Sequence, residues 1–224
     1  MAETTSGPVF GLTREQEEAA FYHEAALNAS WTGTRLLIGV VAAGLGGFIF
    51  AFFYLRSLNS HGLWYPNGPV PTKPNIAVGT TIMVLIVLSA IVQTLGLQRL
   101  KAGKRDAWIA AGVVAIVLGL AAAGVQIWQL TDLGFQPGAS GFASVFVGGS
   151  PALALLVIVS MIWLETLVMQ ARRIPEVSFI EQPVTFADAA LVQRLQGSLS
   201  ACTLFWNFMA VVAVVLWILF YLVH

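Results

Sequence analysis

The stretch TRLLIGVVAAGLGGFIFAFFYL at residues 34–55 decides the fold class of this chain. After Arg35 it contains no charged residue, and about 20 apolar residues are enough to cross the roughly 30 Å of hydrocarbon in a bilayer. Four later stretches have the same character and length, at residues 76–97, 107–130, 142–169 and 199–223. The sequence therefore predicts an all-α integral membrane bundle of five transmembrane helices.

The composition agrees with a protein whose main solvent is lipid. Hydrophobic residues make up 58% of the 224 residues and charged residues only 10%, whereas soluble domains average about 45–50% and 25%. Lys+Arg and Asp+Glu are equal at 11 each, so there is no basic excess to indicate a nucleic-acid partner. The single cysteine, Cys202, excludes a disulfide framework within the chain and is predicted to be a small buried hydrophobe.

The basic residues are distributed unevenly between the two sides of the predicted membrane. Only Arg56 and Lys73 flank the spans on one side, and the others lie on the opposite side: Arg14, Arg35, Arg99, Lys101, Lys104, Arg105, Arg172, Arg173 and Arg194. The positive-inside rule then places the N-terminus in the cytoplasm and the C-terminus outside. Residues 1–30 do not have the apolar core of a signal peptide. We therefore expect a multi-pass protein of the bacterial plasma membrane.

Two segments outside the spans are predicted to be ordered. Residues 1–30 form a cytoplasmic segment in which Thr13-Arg-Glu-Gln16 has the form of a capping box, so a short helix should run to about Asn28. The transmembrane domain then covers residues 31–224, including a cytoplasmic loop at 171–197. Residues 186–195 in that loop are typical of an interfacial helix that leads into span five. Within span four, Pro151 predicts a kink or a short break.

Small residues at four-residue intervals predict two faces for close helix packing. The first is in span one and the second in span three: Gly39, Ala43, Gly47 and Ala51, and then Ala111, Ala115, Gly119 and Ala123. The alternative is that Gly and Ala are simply common in membrane helices. The bulky side chains of Phe48, Phe52, Trp163 and Trp217 are expected to face lipid or a partner.

The predicted spans contain few residues that could carry redox chemistry. Membrane haem and copper sites need imidazole or sulfur ligands inside the bundle, yet His23, His61 and His224 all lie outside the spans. We therefore predict no catalytic, cofactor or metal site in this chain. The intramembrane carboxylate Glu165 has two interpretations: an ion pair with Arg172 or Arg35, or a proton or ion role.

Several short motifs follow one another in a fixed order along the chain. They are FAFFYLR at residues 50–56, WYPNGP at 64–69, PTKPN at 71–75, QIWQ at 126–129, GFASVF at 141–146 and FWNF at 205–208. Over residues 31–224 this series resembles subunit III of haem–copper oxygen reductases, the cytochrome c oxidase type, in its short five-helix form.

The resemblance implies a non-catalytic accessory subunit of a bacterial terminal oxidase, within aerobic respiratory electron transport. Haem and copper would belong to the catalytic partner, subunit I, which this chain would stabilise. It would also hold phospholipid in a cleft lined by spans one, two and five. The resemblance gives the following lipid or packing contacts: Arg35, Arg56, Trp206 and Asn207.

The chain departs from that family at several positions. By counting back from Arg56, the glutamate that the family usually carries falls near Val41, and two histidines of the family fall near Leu153 and Leu156. Asn207 and Ala210 replace a His and an Asp. These changes argue against a proton-feeding role. Two alternatives stay open: a small ion or solute transporter that uses Glu165, and a subunit III-like component of a nitric oxide reductase.

Overall fold

A computed structural model describes residues 14–58, 64–65, 73–174 and 186–223, which form five long helices and, in these ranges, no strand. The helices are α1 (Arg14–Leu58), α2 (Ile76–Lys101), α3 (Arg105–Thr131), α4 (Gly141–Arg173) and α5 (Phe186–Trp217), and α5 continues into a π-helical turn at Ile218–Leu222. Each of the five is long and apolar enough to cross a membrane. The prediction of an all-α bundle with five spans is therefore confirmed.

Local signals in the sequence explain where α2 and α4 begin and where α2 ends. The Asn75 side chain accepts a hydrogen bond from the Ala77 N–H at 2.9 Å, and the Ser140 hydroxyl accepts one from the Ala143 N–H at 3.1 Å. Both satisfy backbone donors that the first turn of a helix leaves free. At the end of α2, Gly103 has φ 79°, a conformation that glycine adopts without strain. This turn sends α3 back antiparallel to α2.

The structure differs from the sequence prediction at both interfacial segments. The expected short helix before Asn28 is not separate, because α1 runs without a break from Arg14 to Leu58; Thr13 of the capping box lies outside the described residues. The expected interfacial helix at residues 186–195 is the first part of α5. The α4 helix also continues through Pro151, so the alternative of a short break there is wrong.

Four of the helices form the bundle, and α1 lies at its edge. Contacts join α2 to α3, α3 to α4, α2 to α5 and α4 to α5, and α1 packs mainly on α5 and to a smaller extent on α4. In the most apolar part of α1 only 6% of residues are buried, against 33% to 50% in the other spans. Within the described chain α1 is therefore attached to the bundle but hardly enclosed by it.

The predicted packing face of α3 is confirmed. Ala115, Gly119 and Ala123 are buried, and the Met161 side chain of α4 occupies the space that a Cβ at Gly119 would need. The corresponding stripe of α1 behaves differently, because Gly39, Ala43 and Gly47 are exposed and Ala51 is half-buried. A Cβ added at Gly39 or Gly47 meets no described atom within 4 Å. Within the described residues, no helix packs against Gly39 or Gly47 of the α1 stripe.

The expectation that the bulky aromatic side chains face outward is wrong for Phe52, which is fully buried. Its ring makes an edge contact with Trp64, with centroids 5.2 Å apart. Phe48 is half-buried against Phe220, and the half-buried Trp217 donates a hydrogen bond to the Thr80 hydroxyl at 3.1 Å. These rings join α1 and α5 to their neighbours. Cys202 is buried as predicted, with 3% of its surface exposed.

Candidate functional site

Trp206 is a packing residue at the centre of the bundle. Its side chain is 2% exposed, and its Nε1–H donates a hydrogen bond to the Ser89 hydroxyl at 3.0 Å. Ser89 in turn donates to the Ala115 carbonyl at 2.7 Å. This chain of hydrogen bonds joins α5, α2 and α3. Of the two predicted roles for Trp206, lipid or packing contact, the structure supports packing.

Asn207, the next residue, lies at the exposed edge of the same interface. Its Oδ1 accepts a hydrogen bond from the Thr94 hydroxyl at 3.1 Å, which links α5 to α2 beside the buried Trp206. Deeper in the interface, Gln93 Nε2 donates to the Thr203 hydroxyl at 3.4 Å. Asn207 therefore acts as an interhelical hydrogen-bonding group within this chain.

Arg35 and Arg56 lie far from each other on α1. They are about 31 Å apart along the α1 axis at 1.5 Å per residue. The exposed Arg35 guanidinium stacks over the Trp31 ring, 4.8 Å from its centroid. Arg56 lies near Tyr65, where burial raises the pKa of the phenol and the charge of Arg56 partly opposes the shift. The four predicted contact residues cannot all line one site, because Arg35 and Arg56 lie near opposite ends of span one.

An apolar groove of about 290 Å³ instead lies between α1, α4 and α5; we call it the α1–α4–α5 groove. Val41, Gly44 and Phe48 line it from α1, and Leu153 and Leu156 line it from α4. Val41, Leu153 and Leu156 are the residues near which the sequence resemblance led us to expect a glutamate and two histidines. All three are apolar, and all three line this groove.

Glu165 lies on the exposed face of α4, one turn from Ile162 and Met169, which are 55% and 48% exposed. Among the described residues, the structure records no ion pair between its carboxylate and Arg172 or Arg35. Arg172 follows two turns later along α4, and Arg35 is on α1, which contacts α4 through its apolar middle. The carboxylate points away from the bundle and does not line a path through it.

A second polar cluster lies near the end of α3. Gln129 Nε2 donates a hydrogen bond to the Tyr221 hydroxyl at 2.9 Å, and Gln126 Nε2 donates to the Ser150 carbonyl at 2.9 Å. The Gln126 Oε1 is buried and has no partner among the described atoms. The contact of Tyr221 with Gln129 was not predicted, because Tyr221 lies in the π-helical turn and no sequence pattern predicts such a turn.

In the part of the chain that the structure describes, no group of three or more His, Cys, Asp or Glu residues could hold a metal ion. His61 and His224 lie outside that part, as does the side chain of His23. The polar side chains inside the bundle are mainly Ser, Thr, Gln and Trp that hydrogen-bond to one another, an arrangement that joins helices.

Comparison with protein-family models gives no match, and no curated protein is significantly similar to this chain.

Proposed function

We propose that this chain is a non-catalytic accessory subunit of the subunit III type in a bacterial haem–copper terminal oxidase. It stabilises the catalytic subunit and holds phospholipid, in a multi-pass arrangement in the plasma membrane with the N-terminus in the cytoplasm. The haem and copper are in the catalytic partner. The proposal begins from the ordered motifs across residues 31–224 and rests on one geometric observation, the α1–α4–α5 groove.

The groove supports the resemblance because it brings together positions that were matched to the family only by counting along the sequence. Val41 lies on α1, whereas Leu153 and Leu156 lie on α4, more than 100 residues later. Leu153 and Leu156 are one turn apart on α4 and so share a face of that helix, and Val41 of α1 lines the same groove. The other two departures, Asn207 and Ala210, do not line it. Because Val41, Leu153 and Leu156 are apolar, the groove suits contact with an acyl chain and not proton transfer. On this observation we assign the phospholipid to the α1–α4–α5 groove and not to the expected cleft between spans one, two and five.

The outer surface of the chain supports a role in a larger complex. Lipid can cover the exposed apolar residues of α1, but a carboxylate in an apolar face is costly in hydrocarbon. Glu165 lies about 12 Å along α4 from Arg173, at 1.5 Å per residue. A helix of the catalytic subunit that offers a cation or a hydrogen-bond donor would satisfy it.

The transporter alternative loses support from the same geometry. A transport site needs polar groups that converge on a path near the middle of the membrane. Glu165 faces outward, and the buried Ser89, Gln93 and Thr203 hydrogen-bond within helix interfaces. A nitric oxide reductase would give this chain the same accessory role, and the catalytic chain that co-purifies distinguishes the two complexes.

Co-purification of a tagged full-length chain from mildly solubilised membranes tests the proposal. We expect a haem protein in stoichiometric amount, detected by its visible spectrum and identified by mass spectrometry. A tagged chain that brings down no haem protein, while remaining folded, would defeat the proposal.

A pair of glycine variants tests the lipid role in the same preparation. Gly44→Leu fills the α1–α4–α5 groove, whereas Gly46→Leu adds the same side chain on the same helix at an exposed position that does not line the groove. We expect Gly44→Leu to reduce the phospholipid retained by the complex and Gly46→Leu to leave it unchanged. Equal retention in the two variants would place the lipid elsewhere.

A further inference from the structure

A second groove, of about 290 Å³, lies between the end of α2 and the first part of α5, at the basic end of the bundle. We call it the α2–α5 groove. Leu97 and Leu100 form its apolar wall, and Gly197 leaves its centre free of a side chain. Its polar lining consists of Lys101, Gln193, Gln196 and Ser200.

The four polar side chains share one chemical property, the ability to donate a hydrogen bond. None of them has a hydrogen-bond or ion-pair partner in the described structure, and the described lining contains no acidic residue. A helical serine commonly bonds back to the carbonyl four residues earlier, as Thr203 does to Leu199, yet Ser200 does not. A groove lined by free donors and one ammonium group suits an anion.

The position of the groove along the helices identifies the source of the anion. Arg99 and Lys101 lie in the last turn of α2, and Arg194 lies beside the groove on α5. Basic residues at span ends lie at the level of the lipid headgroups. Leu97 lies one turn deeper, on the hydrocarbon side. An anion in this groove therefore has room for an attached acyl chain along α2.

We propose that the α2–α5 groove binds the headgroup of an anionic phospholipid such as phosphatidylglycerol. Lys101 pairs with the phosphate, Ser200 and the two glutamine amides donate to its oxygens, and an acyl chain follows Leu97. The glutamine carbonyls can also accept hydrogen bonds from headgroup hydroxyls. The site is separate from the α1–α4–α5 groove and does not depend on the proposed function, because it needs no partner protein.

Native mass spectrometry of the purified full-length chain tests the site. The chain is titrated with phosphatidylglycerol, with phosphatidylcholine and with inorganic phosphate as a competitor. Lys101→Gln is compared with Lys104→Gln, which removes an exposed charge nearby that does not line the groove. A second test variant, Gln193→Leu/Gln196→Leu, removes two donors from exposed positions.

We expect Lys101→Gln to weaken phosphatidylglycerol binding about fivefold, the usual value of one basic residue near an anionic surface. The double glutamine variant should also weaken it, and Lys104→Gln should bind like the wild type. Equal losses in Lys101→Gln and Lys104→Gln would show diffuse surface charge and overturn the site. Equally tight binding of phosphatidylcholine, or displacement of the lipid by inorganic phosphate, would also overturn it.

Discussion

Gly79 permits the closest approach between α2 and the end of α5, and replacing it with alanine should destabilise the bundle. A Cβ at Gly79 would overlap the ring and the hydroxyl of Tyr221. The ring cannot move freely, because its hydroxyl accepts a hydrogen bond from Gln129 at 2.9 Å and its side chain is only 8% exposed. The added methyl group must therefore displace either the helix or the tyrosine.

The expected loss follows from three terms. Overpacking costs about 1–3 kcal/mol, and losing an interhelical hydrogen bond in a membrane protein costs about 0.6 kcal/mol. The higher helix propensity of alanine compared with glycine offsets about 1 kcal/mol of this loss. We expect Gly79→Ala to lower the free energy of unfolding by about 0.6–2.6 kcal/mol.

Unfolding in mixed micelles, titrated with SDS and followed by circular dichroism, measures this free energy. Gly124→Ala is the matched control, because Gly124 is also helical but a Cβ there meets no described atom within 4 Å. It should be neutral or slightly stabilising. In a Tyr221→Leu background, which removes the ring, the cost of Gly79→Ala should largely disappear. The reasoning fails if Gly79→Ala is as stable as Gly124→Ala, or if its cost persists without the ring.

Three further predictions follow from single contacts. Trp206→Phe removes the donor to Ser89 and should destabilise the bundle by about 1 kcal/mol; a loss no larger than that of Trp128→Phe, at an exposed tryptophan, would contradict the hydrogen bond. Glu165→Gln should leave the stability of the isolated chain unchanged, because the carboxylate has no described partner, but it should weaken co-purification of the catalytic subunit. A loss of stability in the isolated chain would reveal an internal partner. Burial raises the pKa of the Tyr65 phenol above 10.0, so the folded state holds this proton more tightly than the unfolded state, and the contribution of the proton to stability is complete below pH 10 and declines above it. In an ultraviolet titration, the difference between the wild type and Tyr65→Phe should have its midpoint above pH 10. A midpoint at or below pH 10 would exclude the burial effect.

The five spans were predictable because length and hydropathy alone determine whether a helix can cross a bilayer. The packing face of α3 was also predictable, since a helix in the middle of the bundle uses its small residues on both sides. The same pattern in α1 was misleading: small residues show that a close approach is possible, but not which helix makes it. Hydropathy likewise could not reveal that Phe52 faces inward, because in lipid both faces of a helix are apolar.

The sites were harder to predict than the spans. The resemblance singled out Trp206 and Asn207 as lipid or packing contacts, but it could not supply Ser89 and Thr94, their hydrogen-bond partners on a helix more than 100 residues away. The expected cleft with Arg35 and Arg56 required α1 to lie against α2. No local pattern specifies which helices are neighbours, and the structure places α1 against α5 and α4 instead.

The continuity of α1 has a mechanical consequence. At 45 residues the helix is about 68 Å long, so its first four turns project beyond the bilayer as a rigid extension of span one. Phe21 and Tyr22, each 69% exposed, therefore keep a fixed direction around the helix axis relative to the side chains of span one. Inserting one alanine at the membrane boundary would turn that projecting arm by about 100°, and inserting a full turn would nearly restore its direction. A protein bound to the projecting part of α1 would therefore turn with any rotation of span one about its axis.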